Sequence, residues 1–217
     1  MEVEAKYGIP DRETYERLLA IRSLGGFVAE SFLHKQVEDR YFDTAERAFL
    51  RGGFACRARM SAGRPLITLK SLTPAHNALH QRIELEVRLE SGNAQQIAEW
   101  PASPARTLAA ELSQGQPLTL LLQLWQERHQ RILHASDGRE VIELSLDCVR
   151  LIAQTHAVFY ELEAELLPAG AMNELQAVDD VLRQEWELAA EPCSKFERAL
   201  SFADRALLSY LHDRSAT

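Results

Sequence analysis

The sequence predicts an α+β protein built on an antiparallel sheet that has one charged face and one apolar face. Charged residues recur at two-residue spacing in six segments, which is the period of side chains on one face of a strand. The residues between them are apolar. Several amphipathic helical segments also need an apolar surface to cover. A barrel with a charged interior and helices packed on its outer surface satisfies both requirements.

The first predicted strand, residues 2–6, shows this pattern clearly. Its side chains alternate between the two faces, so Glu2, Glu4 and Lys6 share one of them. Two carboxylates about 7 Å apart, followed by an ammonium group, suit a divalent cation held beside a phosphate. A helix is predicted after Pro10 and ends at the pair of glycines at positions 25 and 26.

Four more strands are predicted in the first half of the chain, over residues 37–43, 54–60, 65–70 and 82–89. A short helical connection at residues 44–51 and an irregular loop at residues 71–79 lie between them. Arg57 and Arg59 share one face of the second strand in this group, and Lys70 aligns with Thr68 in the third. The fourth strand alternates strictly, and its charged face carries Arg82, Glu84, Glu86 and Arg88.

The second half of the chain is predicted to begin with helices at residues 91–100, 104–112 and 117–125 and then to return to strands. One hairpin joins residues 128–135 to residues 140–147, and another joins residues 149–154 to residues 159–166. Carboxylates share one face of these late strands: Glu143, Asp147, Glu161, Glu163 and Glu165. An amphipathic helix follows at residues 172–188. Because no linker or repeat divides the chain, we expect a single domain over residues 1–217, with a core of about residues 2–200 and a C-terminal helix at residues 196–212.

The composition narrows the classes of function. The net charge of −8 argues against a broad basic surface for nucleic acid, although basic groups in a cavity can still bind an anion. No apolar run approaches the roughly 18 residues that cross a bilayer, and no signal peptide is recognisable. The three cysteines are far apart, which argues against a disulfide framework and a thiolate zinc site. We therefore expect a cytoplasmic protein that binds neither nucleic acid nor membranes.

Eight short segments follow one another in an order that resembles a known family. They are Glu2–Lys6 (E-x-E-x-K), Asp39–Thr44 (Y-Y/F-D-T), Arg57–Arg59 (R-x-R), Thr68–Lys70 (T-x-K), Arg82–Glu86 (R-x-E-x-E), Glu143–Asp147 (E-x-x-x-D), the acidic strand Glu161–Leu166, and Ser194-Lys195 (S-K). The family is the CYTH superfamily, the triphosphate tunnel metalloenzymes, and in particular its bacterial inorganic triphosphatases. The resemblance runs from residue 2 to about residue 200.

The resemblance implies an eight-stranded antiparallel β-tunnel, or barrel, with a charged interior and helices on the outside. It also implies that triphosphate compounds are bound and cleaved there with Mg²⁺ or Mn²⁺. The expected substrate-binding residues are Lys6, Arg57, Arg59, Lys70, Arg82, Arg128, Arg131 and Lys195. The expected metal ligands are Glu2, Glu4, Asp147, Glu161 and Glu163, and Glu2, Glu4, Lys6 and Lys195 are the expected catalytic residues. Supporting roles fall to Arg40, Glu84, Glu86, Glu143 and Glu165.

Some features depart from the family pattern. Cys148 and Val149 follow Asp147 where the family usually has a glycine, which puts the turn geometry there in question. The arginine before the late hairpin is either Arg128, which the family's R-x-x-W pattern favours, or Arg131. These two residues lie on opposite faces of a regular strand. Many bacterial relatives continue into a helical CHAD domain, which this sequence lacks and whose removal is left open.

The expected function is hydrolysis of inorganic tripolyphosphate to pyrophosphate and phosphate. Adenylyl cyclases of the class IV type and thiamine triphosphatases share the fold, but a cyclase must also seat adenine and ribose, and the sequence shows no recognisable base pocket. A non-catalytic polyphosphate-binding module is the alternative from another class of protein. The expected partner is a triphosphate-containing small molecule or polyphosphate, and a homodimer is a further possibility.

Overall fold

The structure is a computed structural model, and it describes the backbone of residues 2–61, 64–72, 79–90, 93–152 and 157–203. Within these ranges the side chains of residues 2, 61 and 79–82 are not described. The predicted loop at residues 71–79 and the end of the predicted C-terminal helix therefore lie partly outside the described residues. No helix in the described ranges is long and apolar enough to cross a membrane.

Strands form the framework of the described fold, and helices lie in the connections between them. The strands are β1 (Glu2–Ile9), β2 (Ser23–Leu24), β3 (Phe27–Ala29), β4 (Leu33–Asp43), β5 (Phe54–Ser61), β6 (Arg64–Ser71), β7 (Leu79–Arg82), β8 (Glu84–Arg88), β9 (Thr119–His134), β10 (Glu140–Leu151), β11 (Val158–Leu166) and β12 (Ala189–Ala190). The α-helices are α1 (Arg12–Leu19), α2 (Ala48–Arg51), α3 (Pro104–Ser113), α4 (Met172–Gln184) and α5 (Lys195–Ala203). The described residues also contain one 3-10 turn, Ile97–Glu99.

The sheet is antiparallel, and its strand order is β12-β1-β11-β10-β9-β4-β5-β6-β8. This path of pairings is open at β8. However, β7 pairs with β1, and only Ile83 separates β7 from β8. Counting β7 and β8 as one interrupted strand, eight strands surround the tunnel, and the short strands β2, β3 and β12 account for the rest of the twelve. The predicted antiparallel tunnel fold with outer helices is confirmed.

The pairing register explains why one face of the sheet is charged. Residues directly opposite each other in an antiparallel pair lie on the same face. Lys6 lies opposite Glu163, and Arg128 lies opposite Asp147. Arg59 lies opposite Asp39 on the other side of the ring. Most inward-facing charges therefore have an opposite charge on a neighbouring strand.

Apolar clusters on the outer surface hold the helices. The largest lies beneath α1 and α4, where Leu18, Leu175 and Val178 pack on the outer face of β1 and β10. A second cluster contains Trp100 and Ala105 and joins α3 to the outer face of β5 and β6. A third, around Phe196 and Leu200, seats α5 at one end of the tunnel. Burying one such large side chain contributes about 1.5–3 kcal/mol, so each helix is held mainly by its apolar stripe.

Two predicted helices are wrong. Residues 117–125, predicted as a helix, belong instead mainly to β9, a strand of 16 residues. The run Leu120–Leu122 has no clear two-residue period, but pairing with β4 keeps it extended, and β10 pairs with the same strand from Leu124 onward. Residues 91–100 were predicted as a helix, and the described part of that segment contains only the 3-10 turn.

Two predicted boundaries also differ. The predicted break after Asp147 is absent, because β10 continues through Cys148 and Val149, which pair with β11. Helix α1 ends at Leu19, before the predicted end at the two glycines. Gly25 and Gly26 instead form the turn between β2 and β3, with φ of +59° and +86°. Two consecutive positive φ angles suit a tight two-residue hairpin and favour glycine.

Candidate active site

A strongly charged cavity occupies the tunnel. It has a volume of about 240 Å³, and each of the eight tunnel strands except the β7 segment contributes to its wall together with the start of α5. The lining residues are Glu4, Lys6, Tyr41, Arg57, Arg59, Lys70, Glu84, Arg128, Glu143, Ser145, Glu163, Glu165, Ser194 and Lys195. Tyr41 is the single aromatic residue among them. Such a wall suits a small, multiply charged ligand.

Three carboxylates converge on one side of the tunnel and form what we call the acidic cluster: Asp147, Glu161 and Glu163. One oxygen from each lies within 4.8 Å of the others. The register explains the convergence, because Asp147 on β10 lies opposite Glu161 on β11, and Glu163 is the next inward-facing residue of β11. Asp147 and Glu161 are fully buried. These three ligand atoms are all hard carboxylate oxygens, with no thiolate or imidazole among them, and such a set fits a hard divalent cation.

The ammonium group of Lys195 lies inside the acidic cluster. Its Nζ is 3.0 Å from Asp147 Oδ2, 2.6 Å from Glu161 Oε1 and 2.6 Å from Glu163 Oε1. Burial alone would favour the neutral amine, but the three carboxylates outweigh burial and raise the pKa of Lys195 to about 12. Lys195 is therefore charged at neutral pH and acts as a counterion for all three.

Two further cations reach the acidic cluster from neighbouring strands. Arg128 Nη2 lies 2.6 Å from Asp147 Oδ2 and 2.7 Å from Glu163 Oε2, and Lys6 Nζ lies 2.7 Å from Glu163 Oε1. Burial would raise the pKa of Glu163, but Lys195, Lys6 and Arg128 together hold it well below its ordinary value. The same balance of burial against Arg128 and Lys195 lowers the pKa of Asp147. Both carboxylates are therefore ionised at neutral pH.

Glu4 lies beside this group but outside the acidic cluster. Its carboxylate is buried, and Oε1 lies 3.6 Å from Lys6 Nζ with no hydrogen-bond partner in the described part of the chain. Burial would raise the pKa of Glu4, but Lys6 and more distant cations lower it below the ordinary value. An ionised carboxylate with an unused lone pair can accept a hydrogen bond from a ligand or water.

Basic residues line the opposite side of the tunnel. Arg57 and Arg59 on β5 and Lys70 on β6 form what we call the basic row. In the strand order β5 lies four places from β11, and β6 lies four places from β10, which puts the basic row across the tunnel from the acidic cluster. Lys70 Nζ lies 2.7 Å from Glu84 Oε1. Opposed rows of this kind can bind an anion and its counter-cation together.

Arg57 retains capacity to bind an anion. Its Nη2 donates to Thr68 Oγ1 at 3.2 Å, but its buried Nε has no hydrogen-bond partner among the described residues. Burial disfavours the charged guanidinium, yet the nearby Asp39 carboxylate raises the pKa of Arg57. A partly buried, charged and incompletely bonded guanidinium suits a phosphate oxygen.

The start of α5 is fixed by its own residues. Glu197 N donates to Ser194 Oγ at 3.2 Å, and Ser194 N donates to Glu197 Oε2 at 2.7 Å, which is a capping box. Lys195 is the first residue of the helix and points into the tunnel. One turn later, Arg198 Nη1 lies 3.1 Å from Glu161 Oε2. In the Ser-Lys pair, Ser194 therefore caps the helix and Lys195 lines the site.

Two residues predicted for the site lie elsewhere. Arg131 faces outward, where its guanidinium stacks 3.3 Å from the centre of the Phe32 ring and donates to the carbonyl oxygens of Leu19, the last residue of α1, and of Ile21. Its predicted role in substrate binding is wrong, because Arg128 takes the inward position three residues earlier. The predicted supporting role of Arg40 is also wrong. Arg40 lies on the outer face of the sheet, where its Nε is 2.7 Å from Glu38 Oε1.

The remaining predicted residues divide into two groups. Glu143 and Glu165 line the cavity, Glu84 pairs with Lys70, and Glu86 accepts a hydrogen bond from Thr68 at 3.1 Å. Glu2 and Arg82 are opposite each other in the pairing of β1 with β7, but their side chains lie outside the described residues.

Sequence reasoning missed two residues that position the site. Asp39 is fully buried and binds Arg59 through both of its carboxylate oxygens, and Arg198 binds Glu161. The spacing of residues in the sequence contains a signal for each of these two residues. Asp39 lies two residues before Tyr41 on the inward face of β4, and Arg198 lies three residues after Lys195 on the same side of a helix.

A family model for the CYTH domain matches residues 1–200. The chain belongs to the CYTH family. This match covers every residue of the cavity wall. None of the curated proteins matches the sequence.

Solved structures agree with the CYTH fold. A Hippeastrum protein named as a candidate adenylyl cyclase, whose triphosphatase activity is described as dominant, is 17% identical, with a TM-score of 0.60 over 93% of this chain and 96% of that one. A Bacillus halodurans protein, also named as a candidate adenylate cyclase, is 21% identical, with a TM-score of 0.63 over 91% of this chain and 96% of that one. At these identities the likeness shows a shared fold alone.

Proposed function

We propose that this CYTH protein hydrolyses triphosphate compounds with the help of Mg²⁺ or Mn²⁺, and that inorganic tripolyphosphate is its preferred substrate. The observation that carries the proposal is the opposition of the basic row to the acidic cluster inside one small cavity. A triphosphate needs cationic groups along its length and a divalent cation where charge develops during transfer. Both requirements are met on facing walls.

In this proposal Arg57, Arg59 and Lys70 bind the phosphoryl oxygens. Guanidinium groups bind two oxygens at once, so Arg57 and Arg59 would fix the orientation of the chain of phosphates, whereas Lys70 supplies a point charge. Lys6 and Arg128, already inside the tunnel, would stabilise the charge of the leaving pyrophosphate. Positioning of this kind supplies most of the catalysis in phosphoryl transfer.

Asp147, Glu161 and Glu163 would hold the divalent cation. When bound there, the cation supplies charge neutralisation at the phosphoryl oxygens during transfer. Glu4 is placed to orient the attacking water, because its carboxylate is ionised, buried and has an oxygen without a hydrogen-bond partner in the described residues. The water oxygen would bond to a terminal phosphorus, the bond from that phosphorus to the bridging oxygen would break, and Glu4 would accept the proton.

The cavity wall favours an inorganic substrate over a nucleotide. Nucleoside recognition needs an apolar or aromatic surface for the base, and Tyr41 is the one aromatic residue among the described residues of the wall. Tripolyphosphate carries no organic group, so the whole molecule would lie in the charged part of the tunnel. This argument separates the proposed activity from adenylyl cyclase and thiamine triphosphatase, which must also seat an organic group.

The test is product analysis with three substrates: tripolyphosphate, ATP and thiamine triphosphate, each with Mg²⁺ or Mn²⁺. The proposal expects fastest release of phosphate from tripolyphosphate, with one pyrophosphate for each phosphate. Cyclic AMP and pyrophosphate from ATP would identify a cyclase instead. Tight binding of tripolyphosphate without any product would identify a polyphosphate-binding module.

A further inference from the structure

We propose that Lys195 holds the place of the divalent cation in the ligand-free protein, so that the metal enters the site together with the triphosphate and not before it. This inference rests on the proposed function, because it concerns how the same site is loaded. It concerns the order of binding, which the proposed hydrolysis leaves open. Three observations support it: the position of the ammonium group, the charge balance around it, and the partners that remain if Lys195 leaves.

The first observation is positional. Lys195 Nζ contacts one oxygen of each carboxylate in the acidic cluster, at 3.0, 2.6 and 2.6 Å. Those three residues are the ones whose oxygens lie close enough together to share a metal ion. A divalent cation in the same triangle of oxygens would lie within a few ångströms of the ammonium group in a buried site, where repulsion between like charges is strong. The two cations therefore exclude each other.

The second observation is that the charges are already close to balance. The acidic cluster and Glu4 provide four carboxylates, Glu191, which shares Arg198, provides a fifth, and four cations lie against them: Lys6, Arg128, Lys195 and Arg198. Adding a divalent cation alone would change the net charge of this group from −1 to +1 in a buried place, which is unfavourable. Adding the cation with a triphosphate brings more negative than positive charge. The charge balance thus favours joint entry.

The third observation is that each carboxylate of the acidic cluster keeps another cationic partner if Lys195 moves away. Arg128 remains bound to Asp147 and Glu163, and Arg198 remains bound to Glu161. Lys195 has a flexible four-carbon stem and stands at the first position of α5, beside the cavity. Its ammonium group can therefore turn from the acidic cluster to a phosphoryl oxygen when a triphosphate arrives. That exchange frees the triangle of oxygens for the metal.

The experiment measures metal affinity without turnover. Metal-free wild-type protein and Lys195→Met are titrated with Mn²⁺, and free Mn²⁺ is read by electron paramagnetic resonance. The titration is repeated with a non-hydrolysable imido analogue of tripolyphosphate, and the Mn²⁺ that the analogue binds without protein is measured separately and subtracted. Lys35→Met is the matched control, because Lys35 is exposed and bonded to Gln130, and it makes no contact with the acidic cluster in the described structure. Lys195→Arg keeps the charge and serves as the conservative variant.

Wild type and Lys35→Met should bind Mn²⁺ weakly alone and at least about tenfold more tightly with the analogue. Lys195→Met should bind Mn²⁺ alone at least about tenfold more tightly than wild type, and Lys195→Arg should resemble wild type. Equal affinity of wild type for Mn²⁺ with and without the analogue would overturn the inference, and this result needs no variant to fold. Equal affinities of wild type and a folded Lys195→Met for Mn²⁺ alone would overturn it too. Failure of wild type to bind the analogue at all would instead count against the proposed function.

Discussion

Arg59 and Asp39 form a two-point ion pair between β5 and β4. Arg59 Nε donates to Asp39 Oδ1 and Arg59 Nη2 donates to Asp39 Oδ2, both at 2.7 Å, and the carboxylate is fully buried. Asp39 also lies 4.0 Å from Arg57 Nε. One carboxylate behind the basic row thus orients the Arg59 guanidinium and balances the charge of Arg57. The relationship links the stability of the tunnel to the geometry of its proposed phosphate-binding side.

The first prediction concerns this ion pair and acid stability. Burial would raise the pKa of Asp39, but Arg57 and Arg59 outweigh it and lower the pKa from 3.8 to about 2. A carboxylate with a lowered folded-state pKa stabilises the fold above its unfolded pKa, and this contribution is lost as the pH falls through the folded value. The shift corresponds to about 2 kcal/mol of unfolding free energy that disappears between about pH 4 and pH 2.

Urea unfolding of wild type and Asp39→Asn at several pH values checks this prediction. At pH 7 the variant should lose roughly 3 kcal/mol, because it leaves two partly buried guanidinium groups without their carboxylate. Between pH 4 and pH 2 the variant should also lose less stability than wild type. The same pH dependence in both proteins would show that Asp39 is not the titrating group.

The second prediction concerns the basic row. Arg57→Ala should raise KM for tripolyphosphate about 10- to 100-fold, since hydrogen bonds to charged groups contribute about 1.5–3 kcal/mol each. Arg40→Ala is the matched control, because Arg40 is one strand away and lies on the outer face. Steady-state kinetics of both variants should separate them clearly. If Arg57→Ala and Arg40→Ala had the same effect on KM, the guanidinium of Arg57 would not contact the substrate.

The third prediction concerns Glu4. Glu4→Gln keeps the size of the side chain but removes its negative charge, so kcat should fall about 10²- to 10⁴-fold if the carboxylate orients and deprotonates water. The melting temperature should change little compared with this loss. Glu16→Gln, an exposed change on α1, is the control. A Glu4→Gln variant with kcat near the wild-type value would remove Glu4 from the catalytic step.

The fourth prediction concerns movement at the start of α5. Lys195 lies at the junction between a proline-containing segment and this helix, so a turn of its side chain toward phosphate should tighten the junction. Closure of this kind excludes water from the site. Hydrogen–deuterium exchange at residues 191–197 should slow when tripolyphosphate and metal are added, and Lys195→Ala should lose part of that protection. Equal exchange with and without ligand would mean that the segment does not close.

Much of the site could be predicted from the sequence because a strand has a two-residue period. Once Glu4 is placed inward, Lys6 follows, and the same holds for Arg57 with Arg59. Period alone cannot say which of two faces is inward. The two-residue period puts Arg128 and Arg131 on opposite faces but does not say which of them is inward. The structure decides this, because Arg131 packs outside against Phe32 and the end of α1. Arg40 failed for the same reason, since its neighbour Asp39 takes the inward position.

The boundaries of some elements depend on contacts between distant residues and could not be predicted. The leucine-rich start of β9 reads as helical until its pairing with β4 is known. The counterions of the acidic cluster are also distant in sequence: Lys195 reaches Asp147 from a helix that follows all the tunnel strands. Sequence motifs identified the charged residues, whereas their partners came from the folded tunnel.

Phosphorus NMR of tripolyphosphate incubated with wild-type protein tests the central claim most directly. With Mg²⁺ or Mn²⁺ present, the tripolyphosphate signals should be replaced by those of pyrophosphate and phosphate in equal amounts. Chelation of the metal, or the Asp147→Asn change in the acidic cluster, should stop this conversion while the tunnel strands remain folded by circular dichroism. Unchanged tripolyphosphate with either metal, or conversion at the same rate after chelation, would contradict the account.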